Sequence, residues 1–588
     1  TRPVGMVETT DFEFVTEAVL DLKANEFLVR NLYFSFEPAM RGWLNDVESY
    51  VAPVQVNEVM RGFTVGQVVE SGTPDFSPGD FVQGMLGWQE YAICGGALSA
   101  SRLPAGIPPQ LALSVLGGTG LTAYFGLLVI IARRFTGSAD NRTFFTGNRQ
   151  SPWYVVSFGM IGASLSGVTF ISVPGWVETS GFAYLQMVLG YVVGYAVIAY
   201  VLLPLYYREN TTTIYGFLHS RYGRSAHATG AWFFILSRWV GASFRLYLVA
   251  AVLQTLVFDP LGLPFWLTVL LTLSLIWLYT YRGGIRSVIF TDTLQTVAML
   301  GALILSIYFI RQALSPEDLA TWGASVDSQI FFFDVADGRN FWKQFLGGVF
   351  ITLAMTGLDQ DMMQKNLTCR TLGESQRNMM TLAVVLIAVN FLFLTLGKDL
   401  SMYALAHGIE AKGDALFPAV AVSSALPSVV GILFILGLIA AAYSSADSAL
   451  TALTTSFCVD ILGVEAKSEA EAVRTRRIVH IGMTLAVAAL IVFARPFVDA
   501  SIIKNIFTAA GYTYGPLLGL FAYGLISTKR PSHMWWIPAA AIASPLLTYG
   551  LSIWVPAALG YTFGFELILV NGALMTGFLA LEPKARVS

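Results

Sequence analysis

Two stretches of this sequence place oxygen-bearing side chains where apolar residues dominate. In SFGMIGASLSGVTFISVPGW (157–176), Gly162 is followed by Ser164, Leu165, Ser166 and Thr169, with Pro174 further on. Such a run can unwind within a membrane and turn backbone carbonyls toward an ion, or pack closely through its small residues. In LGLIAAAYSSADSALTALTTSFCVDIL (436–462), Ser444, Ser445, Asp447 and Ser448 lie midway along an apolar segment. Hard hydroxyl and carboxylate oxygens there suit sodium, an oxygen-seeking cation. Asp292, in TYRGGIRSVIFTDTLQ (280–295), is a lone carboxylate in a third apolar segment, so a cation is its expected partner. Arg238 and Arg245 are seven residues apart and share a helix face. The planar guanidinium of Arg245, past the middle of its segment, favours a carboxylate: either an organic anion or amino acid, or a structural partner such as Asp447 or Asp359. Cys94, Cys369 and Cys458 are far apart and the five histidines are scattered, so neither a disulfide framework nor a zinc site is expected.

The elements that must position these residues are membrane helices. The chain has 588 residues, 55% hydrophobic and 12% charged, where a soluble domain carries about 25% charged residues. Thirteen apolar segments approach the roughly 20 residues that cross a bilayer: 116–132, 153–176, 182–206, 228–256, 264–281, 287–311, 342–358, 378–399, 427–458, 477–495, 503–526, 534–554 and 561–582. Lys and Arg collect on the cytoplasmic side of membrane proteins. The odd connectors are basic, with Arg133, Arg134, Arg142 and Arg149, then Arg208, Arg221 and Arg224, then Arg282 and Arg286. Lys365, Arg370 and Arg377 follow, then Lys467, Arg474, Arg476 and Arg477, and finally Lys529 and Arg530. The sixth connector is acidic, with Glu317, Asp318, Asp327, Asp334 and Asp337. This pattern predicts a multi-pass plasma or bacterial inner membrane protein with a cytoplasmic carboxyl terminus and an outside amino-terminal segment.

Residues 1–110 differ in character, with 6 Lys/Arg against 14 Asp/Glu, leaving 29 against 24 for the remainder. Short apolar segments (27–29 and 63–69), punctuated by Gly-Thr-Pro (72–74) and Pro-Gly-Asp (78–80), predict a small β domain. The chain opens on Thr1, and no signal peptide pattern follows. The segments NLYFSFEPAMRGWLND (31–46), GFTVGQVVESGTPDFSPGDFVQGMLGWQEYA (62–92) and LGGTGLTAYFGLL (116–128) resemble the GroES-like amino-terminal domain of the zinc-independent medium-chain NADPH reductases. The resemblance covers about 10–128. It implies that a dinucleotide-binding half should follow, with a Gly-rich turn holding the pyrophosphate. No G-x-G-x-x-G pattern appears downstream, so no NADPH and no reductase activity are expected, and the junction at 116–130 reads as a graft or an accidental fusion.

The motifs GASLSGVTFISVPG, YRGGIRSVIFTD, GLDQDMMQKNL (357–367) and AAAYSSADSALTAL together resemble the sodium:solute symporter family, relatives of the sodium/glucose and sodium/proline carriers, over about 120–588. The resemblance implies a mainly α LeuT-type fold, with inverted repeats at 153–311 and 342–526, peripheral spans in 534–588, a first span at 116–132 and the reductase-like fragment at 1–115. It also implies a sodium site made of the carbonyls of Gly162, Leu165 and Ala441 and the hydroxyls of Ser444 and Ser445. A second sodium site or exit path would use Asp292, Ser444, Asp447 and Ser448, with an acidic Asp447 where many relatives carry a hydroxyl residue. Ser164, Ser166, Thr169, Arg245, Asp359 and Gln360 are the expected substrate contacts. The implied activity is sodium-coupled symport of a small organic solute by alternating access, with no enzymatic step. An inactive chimera and a transporter-like sensor are the alternatives.

Overall fold

The computed structural model describes the chain except for residues 1, 4, 47–52, 96–97, 99, 104–108, 115–117, 137–139, 210–211, 255–257, 259–262, 282–283, 318–328, 336, 422, 424–425, 428, 496–501, 528–532, 534, 562 and 582–588. Arg282, Asp318, Asp327, Lys529 and Arg530 of the charge pattern therefore lie outside the described residues. The chain divides into two units, one of Thr1–Gly126 with Ala250–Thr268 and Val422–Ile432, the other of Leu127–Val249, Val269–Ala421 and Leu433–Ser588.

In the first unit, strands β1 (Phe27–Phe34), β2 (Thr64–Ser71), β3 (Phe81–Gly84), β4 (Tyr91–Cys94) and β5 (Ala100–Arg102) form an antiparallel sheet in the order β4-β1-β2-β3-β5. Phe27, Val29, Val68, Val82, Ala92 and Cys94 alternate inward onto one core, as the period of two requires. The turn before β3 is held by Asp80, which accepts a hydrogen bond from the Ser77 N–H at 2.7 Å, and Gly79 supplies a φ of +99°. Burial pushes the Cys94 thiol up to about 12.

All thirteen apolar segments carry helix. They are α1 (Gly118–Thr136), the pair α2 (Trp153–Ser164) and α3 (Gly167–Ser180), α4 (Tyr184–Glu209), α5 (Arg224–Leu253), α6 (Phe265–Thr280) and α7 (Ile285–Ala313). Next come α8 (Phe341–Thr352) and a short polar helix, α9 (Gln360–Asn366), then α10 (Leu372–Ala406), α11 (Val429–Ser456) and α12 (Glu469–Ala494). The pair α13 (Ile502–Thr513) and α14 (Gly515–Ile526), then α15 (Trp536–Leu559) and α16 (Leu567–Ala580), complete the series. Among the described residues, seven helices are long and apolar enough to cross a membrane alone, and α2 with α3 makes an eighth span bent by 56°.

Departures from the sequence reading have local causes. The last segment is helical only from Leu567, and just before it the Glu566 carboxylate accepts from Tyr561 Oη and the Gly564 N–H, both at 2.9 Å. The eleventh breaks between α13 and α14, where Pro516 lacks the N–H that a continuous helix would use. Two counted connector cations are not connector charges: Lys365 and Arg476 are each 1% exposed. Arg476 lies within α12, donating to the Asp140 carbonyl and Asn141 Oδ1, both at 2.9 Å.

Candidate functional site

The bent span breaks where its sequence offers least resistance. Leu165 takes φ −93°, ψ 79°, its N–H still bonded to the Ile161 carbonyl at 2.9 Å, and Ser166 is extended before α3 begins at Gly167. A helix end frees its last carbonyls from intrahelical bonding, so this break turns backbone oxygens of the Gly162–Leu165 turn outward. Gly162 is pinned from the side: its N–H donates to Thr296 Oγ1 at 3.1 Å, and Thr296 donates to the Asp292 carbonyl at 2.8 Å. A Cβ at Gly162 would lie 2.3 Å from that Thr296 oxygen. One turn earlier, a Cβ at Gly159 would meet the Asp292 Cβ at 3.1 Å, so α2 and α7 touch through glycine.

α11 enters from the other side. Gly437 approaches Phe170 of α3 and Ala302 of α7, and the next turns bring the hydroxyl residues. Ser444, fully buried, donates to Asp292 Oδ1 at 2.6 Å, while Ser445 donates back to its own Ala441 carbonyl at 3.3 Å. The other Asp292 oxygen receives the Lys365 ammonium at 2.6 Å, delivered by α9. Asp447 is not paired with Arg245; its carboxylate takes the Tyr279 hydroxyl at 2.9 Å and the Ser448 N–H at 2.6 Å. The buried Ser448 hydroxyl has no hydrogen-bond partner.

Beside the break lies a cavity of ≈ 110 Å³ whose walls include Ser164, Ser166, Thr169, Arg245 and Asn390. Three tyrosines, Tyr184, Tyr191 and Tyr195, also line it, with the Tyr184 and Tyr191 hydroxyls 3.1 Å apart. The two arginines of α5 part company here. Arg238 pairs with Asp359 at 3.6 Å and with Asp361, whereas the buried Arg245 Nε has no hydrogen-bond partner. Asp359 and Gln360 do not line the cavity. Asp359 caps α9, accepting from the Asp361 and Met362 N–H groups at 2.8 and 3.4 Å, and takes the Tyr514 hydroxyl. Gln360 ties down the 212–214 connector, accepting from the Ile214 N–H at 2.9 Å and donating to the Thr212 carbonyl at 3.3 Å.

Comparison with known proteins gives two matches in series. Residues 144–531 match the model described as the Sodium:solute symporter family, and residues 1–100 match one described as the N-terminal domain of oxidoreductase. The human sodium/iodide cotransporter is 26% identical over 479 residues, covering 77% of this chain and 69% of that protein. The putative NADP-dependent oxidoreductase YfmJ of Bacillus subtilis (strain 168) is 42% identical over 131 residues, covering 22% of this chain and 38% of that protein, so the chain spans under two fifths of that relative. A sodium-coupled sialic acid symporter, solved in a substrate-bound outward-open state, superposes with a TM-score of 0.66 at 19% identity, covering 78% of this chain and 95% of the other. The match over about 66% of the chain, on a bent helix and a buried serine-carboxylate junction, makes this multi-pass membrane protein a member of the sodium:solute symporter family with a LeuT-type fold, preceded by a segment related to oxidoreductase amino-terminal domains.

Proposed function

We propose that the chain is a sodium-coupled secondary active symporter for a small organic anion, working by alternating access. The observation that carries this reading is the junction at Ser444, where a carboxylate from α7, a cation from α9 and a hydroxyl from α11 meet in a fully buried position. Sodium is taken by the carbonyls of Gly162, Leu165 and Ala441 with Ser444 and Ser445. Bridging α2 and α11 in this way favours one conformation over the other, which coupling requires, since a ligand of equal affinity for both shifts nothing. Asp292, Asp447 and Ser448 form a second group of oxygens leading away from it. The solute occupies the cavity beside the break, with Arg245 as its anchor, since a buried guanidinium nitrogen without a partner asks for an acceptor.

The repeats are assigned to 153–311 and 342–526, with 534–588 peripheral, 116–132 a first span and 1–115 the reductase-like fragment. The carboxyl terminus is placed in the cytoplasm, in a plasma or bacterial inner membrane. No reductase step and no NADPH site are assigned to residues 1–115, because the downstream sequence offers no Gly-rich turn after a strand.

Thermal unfolding of the purified chain in sodium and in potassium tests the reading. Sodium should raise the melting temperature of the wild type and leave the Ser444→Ala/Ser445→Ala variant unchanged. An equal response of wild type and variant to both cations would remove the assigned site.

A further inference from the structure

Besides Arg245 Nε, the residues lining the cavity carry buried atoms without a hydrogen-bond partner on Ser164 (Oγ), Arg238 (Nε) and Asn390 (Oδ1), and of these only the amide oxygen accepts without being able to donate. Asn390 of α10 is 2% exposed, and its Nδ2 donates to the Leu386 carbonyl at 2.8 Å, which fixes the orientation of the amide. Its Oδ1 is buried without a hydrogen-bond partner. The space thus presents an unpartnered donor on Arg245 and an unpartnered acceptor on Asn390. Leaving either buried group unmade is costly, so a solute that answers both is favoured over one that answers only the guanidinium.

Charge and size narrow the class. Among the described residues lining the cavity none is Asp or Glu, and the charge of Arg238 is already answered by Asp359 and Asp361. A carboxylate therefore finds a counter-charge in Arg245, whereas an ammonium would find none and would sit in a space lined by two arginines. The donor that meets Asn390 must then be a neutral hydroxyl. A cavity of about 150 Å³ admits benzene, so one of ≈ 110 Å³ limits the solute to no more than about six non-hydrogen atoms.

We infer that the solute is a compact hydroxycarboxylate, its carboxylate on Arg245 and its hydroxyl donating to Asn390 Oδ1. Asn390 is then a specificity-determining residue that separates hydroxycarboxylates from plain carboxylates of the same length. This inference rests on the symport reading above and goes further in naming the solute class.

The test uses the full chain in proteoliposomes with an inward sodium gradient and three probes of similar size: lactate, propionate and alanine. Wild type should take up lactate at least about 5-fold better than propionate, the smaller end of what an unmet buried acceptor costs, with alanine at background. Asn390→Leu, with the same branched heavy-atom skeleton but no acceptor, should lose that discrimination while keeping propionate uptake and sodium-dependent melting, which shows that the variant is folded. Arg245→Gln should lose lactate and propionate alike. Equal uptake of lactate and propionate by wild type overturns the hydroxyl contact and leaves the carboxylate reading standing. Preference for alanine overturns the charge argument. Sodium-dependent melting without uptake of any of the three overturns the solute class, and absence of any sodium response overturns the symport reading itself.

Discussion

The buried pair of Asp292 and Lys365 is the residue whose partner the sequence concealed. A lone carboxylate in an apolar segment announces itself, and Asp292 was legible for that reason. Lys365 was not: charge counting assigns each cation to a connector by its position along the chain, and nothing in GLDQDMMQKNL says that α9 folds back so that this ammonium is 1% exposed and 2.6 Å from Asp292. Asn390 was invisible for a different reason, since a single amide in an apolar run has no spacing partner. Asp359 and Gln360, expected as solute contacts from their place at the end of a span, have side chains that close α9 and the 212–214 connector. The pair makes a double-mutant prediction. Asp292→Asn or Lys365→Met alone should cost about 3–5 kcal/mol, because each strands a buried charge, and the double variant should recover much of that loss. Chemical or thermal unfolding of the three variants checks it; additive losses would mean that the two charges do not depend on each other.

At the scale of elements, each of the thirteen apolar runs carries helix, and among the described residues eight of them, counting the bent pair as one, are long and apolar enough to cross a membrane. The break in the second span was readable as well, from the small and hydroxyl residues between Gly162 and Gly167. Which neighbours hold the broken ends was not, since that depends on contacts between residues over a hundred apart, such as Gly162 with Thr296. The glycine supplies the prediction. Gly162→Ala drives a methyl to within 2.3 Å of Thr296 Oγ1, forcing α2 and α7 apart, and should abolish the rise in melting temperature with sodium. Pairing it with Thr296→Ala removes the obstructing oxygen and should restore part of that rise; a single variant that answers to sodium like wild type would show that the close approach does not position the site.

For the whole molecule, two sequence signals of different kind lie in series, and each was legible within its own span: turn residues and alternating apolar positions in the β unit, long apolar runs beyond it. What no pattern in the chain revealed is how the polar atoms inside the membrane segments pair among themselves, because that depends on depth and rotation of helices far apart in sequence. With the sodium and carboxylate sites proposed above, one of those pairings would set the energetics of transport. With Lys365 already seated on Asp292, the protein itself supplies the cation at that carboxylate, and a single sodium moving with a single monocarboxylate carries no net charge. A membrane potential, worth about 2.3 kcal/mol per charge per 100 mV, then does no work on the cycle. Accumulation should follow the sodium ratio alone and be indifferent to a potential imposed on the vesicles. Removing the ammonium, as in Lys365→Met, opens Asp292 to a second sodium and should turn an electrically silent carrier into one whose uptake rises with a negative interior, a change that current recording or a voltage-sensitive dye would register.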